Sequence, residues 1–291
     1  MKIRVLITLS AVLLLSQVAY SNPQNTANQW LIELRPNDSK LQLTMRYRRL
    51  GDNDFSFNNN SFGIELDKFT GLTRDQLMSP AGTNVRFQLK RDAGTFDFEG
   101  WFKQGSGSGH FTFNPSSSFS SELAKLGFGR ASDEQLLSLA LTDIGLAFIN
   151  ELKAQDYDTS TVEQLVRMAN HGVRLEYLQR LKSLGYSVKS TDLVVRMKDH
   201  GVSLNFINEL TALGYSNLAP EDLIRTRDHG VTAGFVKELK DLGYTNTSIE
   251  QLVRLKDHGV SATYIKRMKE RGYADLTLDE YIRLRDRGER D

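Results

Sequence analysis

Two periodicities of apolar and polar residues divide this chain. Between about residues 29 and 114 the two kinds alternate in short runs such as KLQLTMRYRR (40–49), which is typical of strands with one buried face. Beyond residue 116, apolar residues recur at helical spacing, as at Val162, Leu165, Val166 and Met168. The order of the two patterns predicts a β domain followed by a helical region.

The first region predicts an antiparallel sheet with one wet face. VRFQLKRD (85–92) and TFDFEGWFK (95–103) flank Ala93-Gly94 as the strands of a hairpin, and HFTFNP (110–115) is a further strand. GSGSG (105–109) is expected to lead into that strand, and GDNDFSFNNN (51–60) is expected to be a loop. The side chains expected in the core are Phe96, Phe98, Trp101 and Phe102.

Two short polar segments also carry local signals. Asn37-Asp38-Ser39 is a turn cluster between two strands. TGLTRDQL (70–77) predicts one helical turn, capped by Thr70 or Thr73.

The second region repeats itself. An aromatic residue recurs every 29 residues, at Phe128, Tyr157, Tyr186, Tyr215, Tyr244 and Tyr273. Each unit predicts two short helices, and the first begins after a hydroxyl cap at Ser132, Thr161, Ser190, Ser248 and Thr277. Ala219 is the exception, but Pro220 follows it at the first helical position. Two residues beyond each cap stands an acid that suits the positive helix end, at Glu134, Glu163, Asp192, Glu221, Glu250 and Asp279.

The recurring DHGV motif predicts the end of the first helix in each unit. Its glycine, at Gly172, Gly201, Gly230 and Gly259, favours the positive φ that ends a helix. Ser203, Thr232 or Ser261 then caps the second helix. In one unit the face expected to be buried is Phe206, Ile207, Leu210 and Leu213. A hairpin this short does not bury its faces alone, so neighbouring units must stack.

The predicted fold is therefore of the α+β class with two domains. A leader (1–21) precedes a small antiparallel β domain (22–115) and a boundary segment with a short helix (116–127). An α-solenoid (128–291) follows, with about five 29-residue hairpin repeats and a C-terminal half-repeat as cap.

The N-terminus predicts export. Lys2 and Arg4 precede a mostly apolar run from Val5 to Val18, and Ala19-Tyr20-Ser21 offers small residues for cleavage. The alternative is a retained membrane anchor, but the run is shorter than the roughly 20 residues a span needs. We expect a periplasmic or extracellular chain, with no transmembrane insertion after the leader is removed.

Composition narrows the chemistry. The chain has no cysteine, which excludes disulfides, thiolate metal sites and cysteine nucleophiles. It carries 37 basic and 36 acidic side chains, and removing a leader that holds Lys2 and Arg4 leaves 35 basic ones. This near-neutral balance argues against nucleic acid as the main partner.

The histidines of DHGV admit two interpretations. A metal or acid–base role would use His171, His200, His229 and His258 together. However, equivalent positions in stacked helices lie about 8–10 Å apart, too far for one zinc ion with ligands at about 2 Å. We favour a structural role at the helix end, in which each histidine bonds free carbonyls and complements the helix dipole. No metal or other cofactor is predicted.

A column of arginines is the candidate partner-binding surface. It comprises Arg167, Arg196, Arg225, Arg254 and Arg283. The column would hold a partner's acidic strip or lipid headgroups. The alternative is an internal ladder in which the arginines pair with Asp199, Asp228 and Asp257, one turn away on the same face.

Catalytic motifs are not found. The sequence has no HExxH, GxSxG or P-loop pattern, and GSGSGH joins two strands rather than opening a helix. Asp97 and Glu99 on one strand face, near His110 in the next strand, form the one acid–base candidate. Charged residues on the wet face of a hairpin explain these positions more simply.

The segment VRFQLKRDAGTFDFEGWFKQGSGSGHFTFNP (85–115), followed by repeats such as LVRLKDHGV (252–260), resembles a known family. It is similar to the extracytoplasmic region downstream of the membrane metallopeptidase domain in some bacterial antirepressor-type regulators, relatives of the β-lactam sensors. The resemblance covers residues 29–291. Because HExxH and SxxK are absent, it implies neither peptidase activity nor covalent β-lactam sensing. It implies a sensing or docking module of the envelope.

Three functions follow in order of preference. The first is a non-enzymatic exported module that binds an envelope protein through its helical repeats. The second is binding of a glycan or anionic lipid, with Trp101 and Tyr47 stacking on sugars or the arginine column holding acidic groups. The third is a hydrolase with its site in the β domain.

Overall fold

The structure is a computed structural model that describes residues 28–34, 40–48 and 57–289. The predicted leader (1–21), the turn at 37–39 and the segment 51–56 lie outside the described residues. Two compact units are present. Among the described residues, one unit contains those up to 87 together with 98–112, and the other contains 88–97 together with 113–289.

The strands form one antiparallel sheet. They are β1 (Gln29–Leu34), β2 (Leu41–Tyr47), β3 (Asn58–Ile64), β4 (Phe69–Thr70), β5 (Thr83–Arg91), β6 (Gly94–Lys103) and β7 (Ser106–Pro115). Their order in the sheet is β3-β2-β1-β7-β6-β5-β4. A short helix, α1 (Arg74–Met78), lies between β4 and β5, and Thr73 caps it through a capping box with Gln76.

The buried face of the sheet is aromatic, as the alternation predicted. Phe96, Phe98 and Phe102 are at most 2% exposed. The ring centroid of Trp30 lies 5.3 Å from those of both Phe87 and Phe102. Its indole N–H donates to the carbonyl oxygens of Glu99 (3.2 Å) and His110 (3.1 Å), so the buried polar atom is satisfied.

In the glycine-rich run, Gly105 lies in the turn before β7, but residues 106–109 belong to strand β7 and not to the connection that the sequence predicted. Its serines face solvent and its glycines face the aromatic core. A Cβ added at Gly107 would lie 2.4 Å from the Phe102 ring, and one at Gly109 would lie 2.0 Å from the carbonyl oxygen of Glu99. Glycine is required at both positions because rings and neighbouring backbone occupy the space of a side chain.

Two other predictions for the β region are wrong. Residues 58–60 belong to β3, where Asn60 pairs with Met45 of β2, and are not part of a loop. Trp101 is 44% exposed, because it shares the wet face of β6 with Glu99 and Lys103. Phe98 and Phe102 hold the alternate positions and fill the core instead.

The helical part of the described chain contains twelve helices of nine residues each, after α1. They are α2 (Ser117–Lys125), α3 (Asp133–Leu141), α4 (Leu146–Ala154), α5 (Val162–Asn170), α6 (Leu175–Ser183), α7 (Thr191–Asp199), α8 (Leu204–Ala212), α9 (Pro220–Asp228), α10 (Ala233–Asp241), α11 (Ile249–Asp257), α12 (Ala262–Glu270) and α13 (Leu278–Asp286). Neighbours in sequence form hairpins, and alternate helices pack together. This is the predicted solenoid.

The solenoid has two rows of helices. The first-helix row is α3, α5, α7, α9, α11 and α13, and the second-helix row is α4, α6, α8, α10 and α12. Every predicted hydroxyl cap accepts a hydrogen bond from its helix, and α9 begins with Pro220 without a side-chain cap. The DHGV glycines have φ between 67° and 72°, and the valine after each is buried. Leu213 is only half-buried, contrary to prediction, because it lies at the C-cap of α8.

Within the described ranges, no single helix is long and apolar enough to cross a membrane. The pair α3 and α4 passes the same length and composition criteria when taken together, but it is bent by 83° at its break.

The turn between β5 and β6 caps a helix of the solenoid. Gly145 occupies the N-cap position of α4 and offers no side chain to its N-terminus. The Asp92 carboxylate accepts a 2.7 Å hydrogen bond from the Leu146 backbone N–H instead. Beside it, Arg91 forms an ion pair of 2.5 Å with Asp143.

We expect Asp92→Ala to lower the free energy of unfolding by about 1 kcal/mol, because the first turn of α4 loses its acceptor. Urea unfolding followed by circular dichroism measures the change. Asp92→Asn keeps an acceptor oxygen and should lose less. Equal midpoints for the parent chain and Asp92→Ala would show that the cap does not stabilise α4.

Candidate functional site

The predicted arginine column lies on the first-helix row, and four of its members form ion pairs between successive units. The pairs are Arg167 with Asp192, Arg196 with Glu221 (2.8 Å), Arg225 with Glu250 (2.6 Å) and Arg254 with Asp279 (2.9 Å). Each acceptor is the first-turn acid of the next unit. The hydrogen bond from Arg225 lowers the pKa of Glu250, and the bond to Glu221 raises the pKa of Arg196. The predicted pairing with Asp199, Asp228 and Asp257 is wrong, because those aspartates accept from histidines.

The histidines form a second column, parallel to the first. Each is the C-cap residue of its helix, and its Nδ1–H donates to an aspartate of the next unit. The pairs are His171 with Asp199 (2.6 Å), His200 with Asp228 (2.5 Å), His229 with Asp257 (2.5 Å) and His258 with Asp286 (2.8 Å). The side chains therefore bond a carboxylate rather than the helix-end carbonyls that the sequence suggested. Each rung joins two units.

At the N-terminal end of the histidine column, donor and acceptor change together. In the first unit Thr142 replaces the histidine, and in the second unit Asn170 replaces the aspartate that would have received its bond. Asn170 instead accepts from the Ser138 hydroxyl, which holds the arginine position of the first unit. Two positions that change together within one chain indicate contact. This signal in the sequence predicts the histidine pairs between units, which helical spacing within one unit does not. It does not extend to the arginine column, where Glu163 stays acidic beside Ser138 and accepts from Gln135 (2.8 Å).

Cations of the first-helix row also cover aromatic rings of the second-helix row. The pairs are Lys198 over Tyr177 (4.7 Å), Arg227 over Phe206 (5.0 Å), Lys256 over Phe235 (5.1 Å) and Arg285 over Tyr264 (5.0 Å). Such contacts are cation–π interactions. Most charges that recur from unit to unit in the first-helix row therefore contact another residue of the solenoid, through an ion pair or a cation–π interaction.

One exposed face of the second-helix row lacks charges that recur from unit to unit. We define the second-helix face by ten exposed residues, two in each helix of that row: Asn150, Ala154, Gln179, Ser183, Asn208, Ala212, Lys237, Asp241, Lys266 and Glu270. The face is uncharged in the first three helices and charged in the last two. Lys237 and Asp241 pair with each other at 2.8 Å within α10. The residue types on this face change along the solenoid, whereas the arginine and histidine columns repeat.

Shallow grooves recur along the edge formed by the loops after the second helices. One groove, of about 500 Å³, lies between residues 185–190 and 217–220. Its equivalent two units later, of about 390 Å³, lies between residues 243–247 and 275–278. The Tyr244 hydroxyl donates to the Leu276 carbonyl oxygen (2.9 Å) across that groove. The grooves are a consequence of the repeat geometry.

The acid–base candidate of the β region lies on the wet face of the hairpin. Asp97 accepts hydrogen bonds from Gln88 (2.6 Å) and Asn114 (2.5 Å). Glu99 pairs with Arg86 on the adjacent strand at 2.9 Å, and His110 is exposed. These are cross-strand side-chain pairs of an antiparallel sheet. In the part of the chain that the structure describes, no group of three or more His, Asp or Glu residues is arranged to hold a metal ion.

Comparison with known proteins adds no relative. No protein-family model, no curated protein and no solved structure matches this chain. The resemblance drawn from the 85–115 segment and the DHGV repeats stays a prediction.

The arginine column gives a test with an internal control. We expect Arg225→Gln to lower the midpoint of thermal unfolding by more than Arg283→Gln. The reason is that Arg283 has the same place in its helix but is followed by no further unit among the described residues. The effect should be smaller in 1 M NaCl, since salt screens exposed pairs. Equal shifts for the two variants would mean that the pair itself contributes nothing.

The difference in stability between the parent chain and Arg225→Gln should depend on pH. The pKa of Glu250 is lowered in the folded chain, so its pairing stabilises the fold at neutral pH and is lost on acidification. The difference between the parent chain and Arg225→Gln should therefore narrow as the pH falls through that lowered pKa. Thermal unfolding followed by circular dichroism at a series of pH values measures it.

Proposed function

We propose that this chain is a non-enzymatic interaction protein of the bacterial envelope, and that its helical repeats bind another envelope protein. The observation that supports the proposal is the contrast between the first-helix row and the second-helix face. The first-helix row repeats its charges, and those charges bond the neighbouring unit. The second-helix face varies from unit to unit, as expected where successive units contact different groups of one partner.

The same contrast favours docking on the second-helix face over docking on the arginine column. A partner that bound Arg196 through a carboxylate would compete with Glu221, which already accepts two hydrogen bonds from that guanidinium. The second-helix face is uncharged in α4, α6 and α8, so a partner that docks there breaks no ion pair of this face, although Gln179 donates a 3.2 Å hydrogen bond to Glu151 of the preceding unit. Its change from uncharged to charged would fix the direction in which a partner lies along the solenoid.

The sequence resemblance supports the same class of function. The similar segments belong to envelope regulators in which they follow a peptidase domain, and this chain carries the segments without the HExxH motif. The predicted leader would deliver the chain to the envelope. A docking or sensing role requires no catalytic residues.

Site-specific photo-cross-linking in living cells tests the proposal. A photoreactive residue is placed at Gln179 or Asn208 on the second-helix face, and at Asn170 on the first-helix row as the control. All three positions are exposed. We expect one discrete protein adduct from each of the first two positions and none from Asn170. An adduct from Asn170 alone would assign docking to the first-helix row, and turnover of an envelope substrate by the purified chain would overturn the non-enzymatic role.

A further inference from the structure

The open face of the sheet carries two exposed apolar side chains in a polar setting. Trp101 of β6 is 44% exposed, and Leu31 of β1 is 40% exposed. Leu31 lies opposite Ser108 of β7, and the tight turn between β6 and β7 places Trp101 across from that same serine. The small Ser108 side chain therefore lies between two large ones. A depression of about 350 Å³ next to it is lined by Gln29, Trp30, Leu31, Ser108, Gly109 and His110.

One side of the Trp101 ring packs against the protein backbone. A Cβ added at Gly82 would lie 2.3 Å from the six-membered part of the indole, so the ring rests on the Gly82 backbone. The remaining exposed area of the indole is available to a ligand. A ring whose motion is already restricted by such packing loses little conformational entropy on binding.

Short polar side chains continue the row beyond Leu31. Thr44 of β2 lies opposite Leu31, and Ser61 of β3 lies opposite Thr44. The Ser61 hydroxyl is within 2.8 Å of both the Thr44 hydroxyl and the Gln42 amide nitrogen, so these groups are mutually oriented. The row Ser61–Thr44–Leu31–Ser108–Trp101 contains no charged residue. Next to it, Arg86 and Glu99 neutralise each other in an ion pair of 2.9 Å.

We propose that this row binds an uncharged, N-acetylated sugar chain. A pyranose ring has an apolar C–H face that packs on an indole, and its hydroxyls match the serine, threonine and glutamine side chains beside it. Leu31, which is 40% exposed, would contact the methyl group of the acetamido substituent. Two apolar side chains are too small an area for the core of a protein interface. The uncharged row does not favour an anionic headgroup. This site lies in the β unit and is independent of docking by the helical repeats.

Tryptophan fluorescence of the full chain without its leader tests the site. Trp30 and Trp101 are the two tryptophans of the chain, and Trp30 is buried, so a ligand-induced change reports on Trp101. The probe is the trimer of β-1,4-linked N-acetylglucosamine, with maltotriose as a trimer that lacks acetamido groups. We expect saturable binding of the first trimer and binding of the second at least about tenfold weaker, because contacts made by the acetamido group are lost.

Three variants complete the test, and isothermal calorimetry measures their binding. Ser108→Leu fills the space between Leu31 and Trp101 and should abolish binding while the fold and both tryptophans remain. Trp101→Ala should weaken binding at least about tenfold through the lost ring contact. Tyr273→Ala removes an aromatic residue that is similarly exposed, at 37%, in the solenoid and should bind as the parent does. The proposal is overturned if the parent does not bind the trimer at millimolar concentration, if Ser108→Leu binds normally, or if the chain binds only phosphatidylglycerol vesicles.

Discussion

Gly109→Ala will destabilise the protein by about 3 kcal/mol or more. The added Cβ would lie 2.0 Å from the Glu99 carbonyl oxygen, 2.6 Å from the Gly100 Cα and 2.8 Å from the Trp30 indole nitrogen. Two of these contacts are with backbone atoms, which cannot move aside as the end of a flexible side chain would. Strands β6 and β7 must separate to admit the methyl group, and the hydrogen bonds from Trp30 are then lost.

Urea unfolding followed by tryptophan fluorescence measures this loss of stability, and buried Trp30 reports on it because its indole lies beside Gly109. Ser108→Ala is the matched control, since the neighbouring serine faces solvent in the same strand and should change stability by less than about 0.5 kcal/mol. A Gly109→Ala variant as stable as the control would contradict the close approach of the two strands.

Leu210→Ala will cost about 2–5 kcal/mol, because it leaves a cavity at a residue that is 0% exposed in the middle of the solenoid. Leu213→Ala, three residues later at the half-buried C-cap, should cost clearly less. The two variants remove the same atoms from the same helix region and differ in burial. Thermal unfolding of both compares them directly.

The helices that Leu210→Ala destabilises are as informative as the total loss of stability. In stacked repeats each unit is stabilised by its own contacts and by those with its nearest neighbours. In Leu210→Ala, exchange of the backbone amide hydrogens should therefore speed up in α8 and in its row neighbours α6 and α10. The acceleration should be smallest in α4 and α12. Uniform acceleration across all helices would show that the solenoid unfolds as a single cooperative block.

The helical part of the fold could be predicted closely because its signals are local. A cap hydroxyl, an apolar stripe and a terminal glycine recur every 29 residues, and each acts on the helix that contains it. Repetition also removes the ambiguity of any single unit. For the same reason Leu213 was misplaced: helical spacing puts it on the apolar stripe, but the helix ends there.

The β region was harder to predict because its glycines leave space for residues that are distant in the sequence. GSGSG is typical of a flexible connection, yet Gly107 and Gly109 are strand residues that accommodate Phe102 and Trp30. Trp30 lies far away in sequence, and no local pattern connects it with Gly109. Trp101 was wrongly expected in the core, although strict alternation with Phe98 and Phe102 places it on the wet face.

In the candidate sites, too, local features could be predicted and contacts between distant residues could not. The sequence located the arginines and histidines in columns, but it gave the arginines acidic partners within their own helix. The structure pairs them with the next unit, 25 residues away for Arg196 and 28 for His200. Such pairs depend on how the units stack, which no single unit encodes.

Pairing between units rather than within them makes the length of the solenoid adjustable. Removing residues 191–219 would excise one 29-residue period and bring Arg167 to Glu221, and His171 to Asp228, in place of Asp192 and Asp199. Duplicating a period would extend both columns by one rung in the same way. Neither change leaves an arginine or histidine of the two columns without the acid it pairs with, so we expect the fold to accept the gain or loss of whole units. The surface that such a framework presents can be lengthened or shortened by whole units while the rest of the protein stays the same.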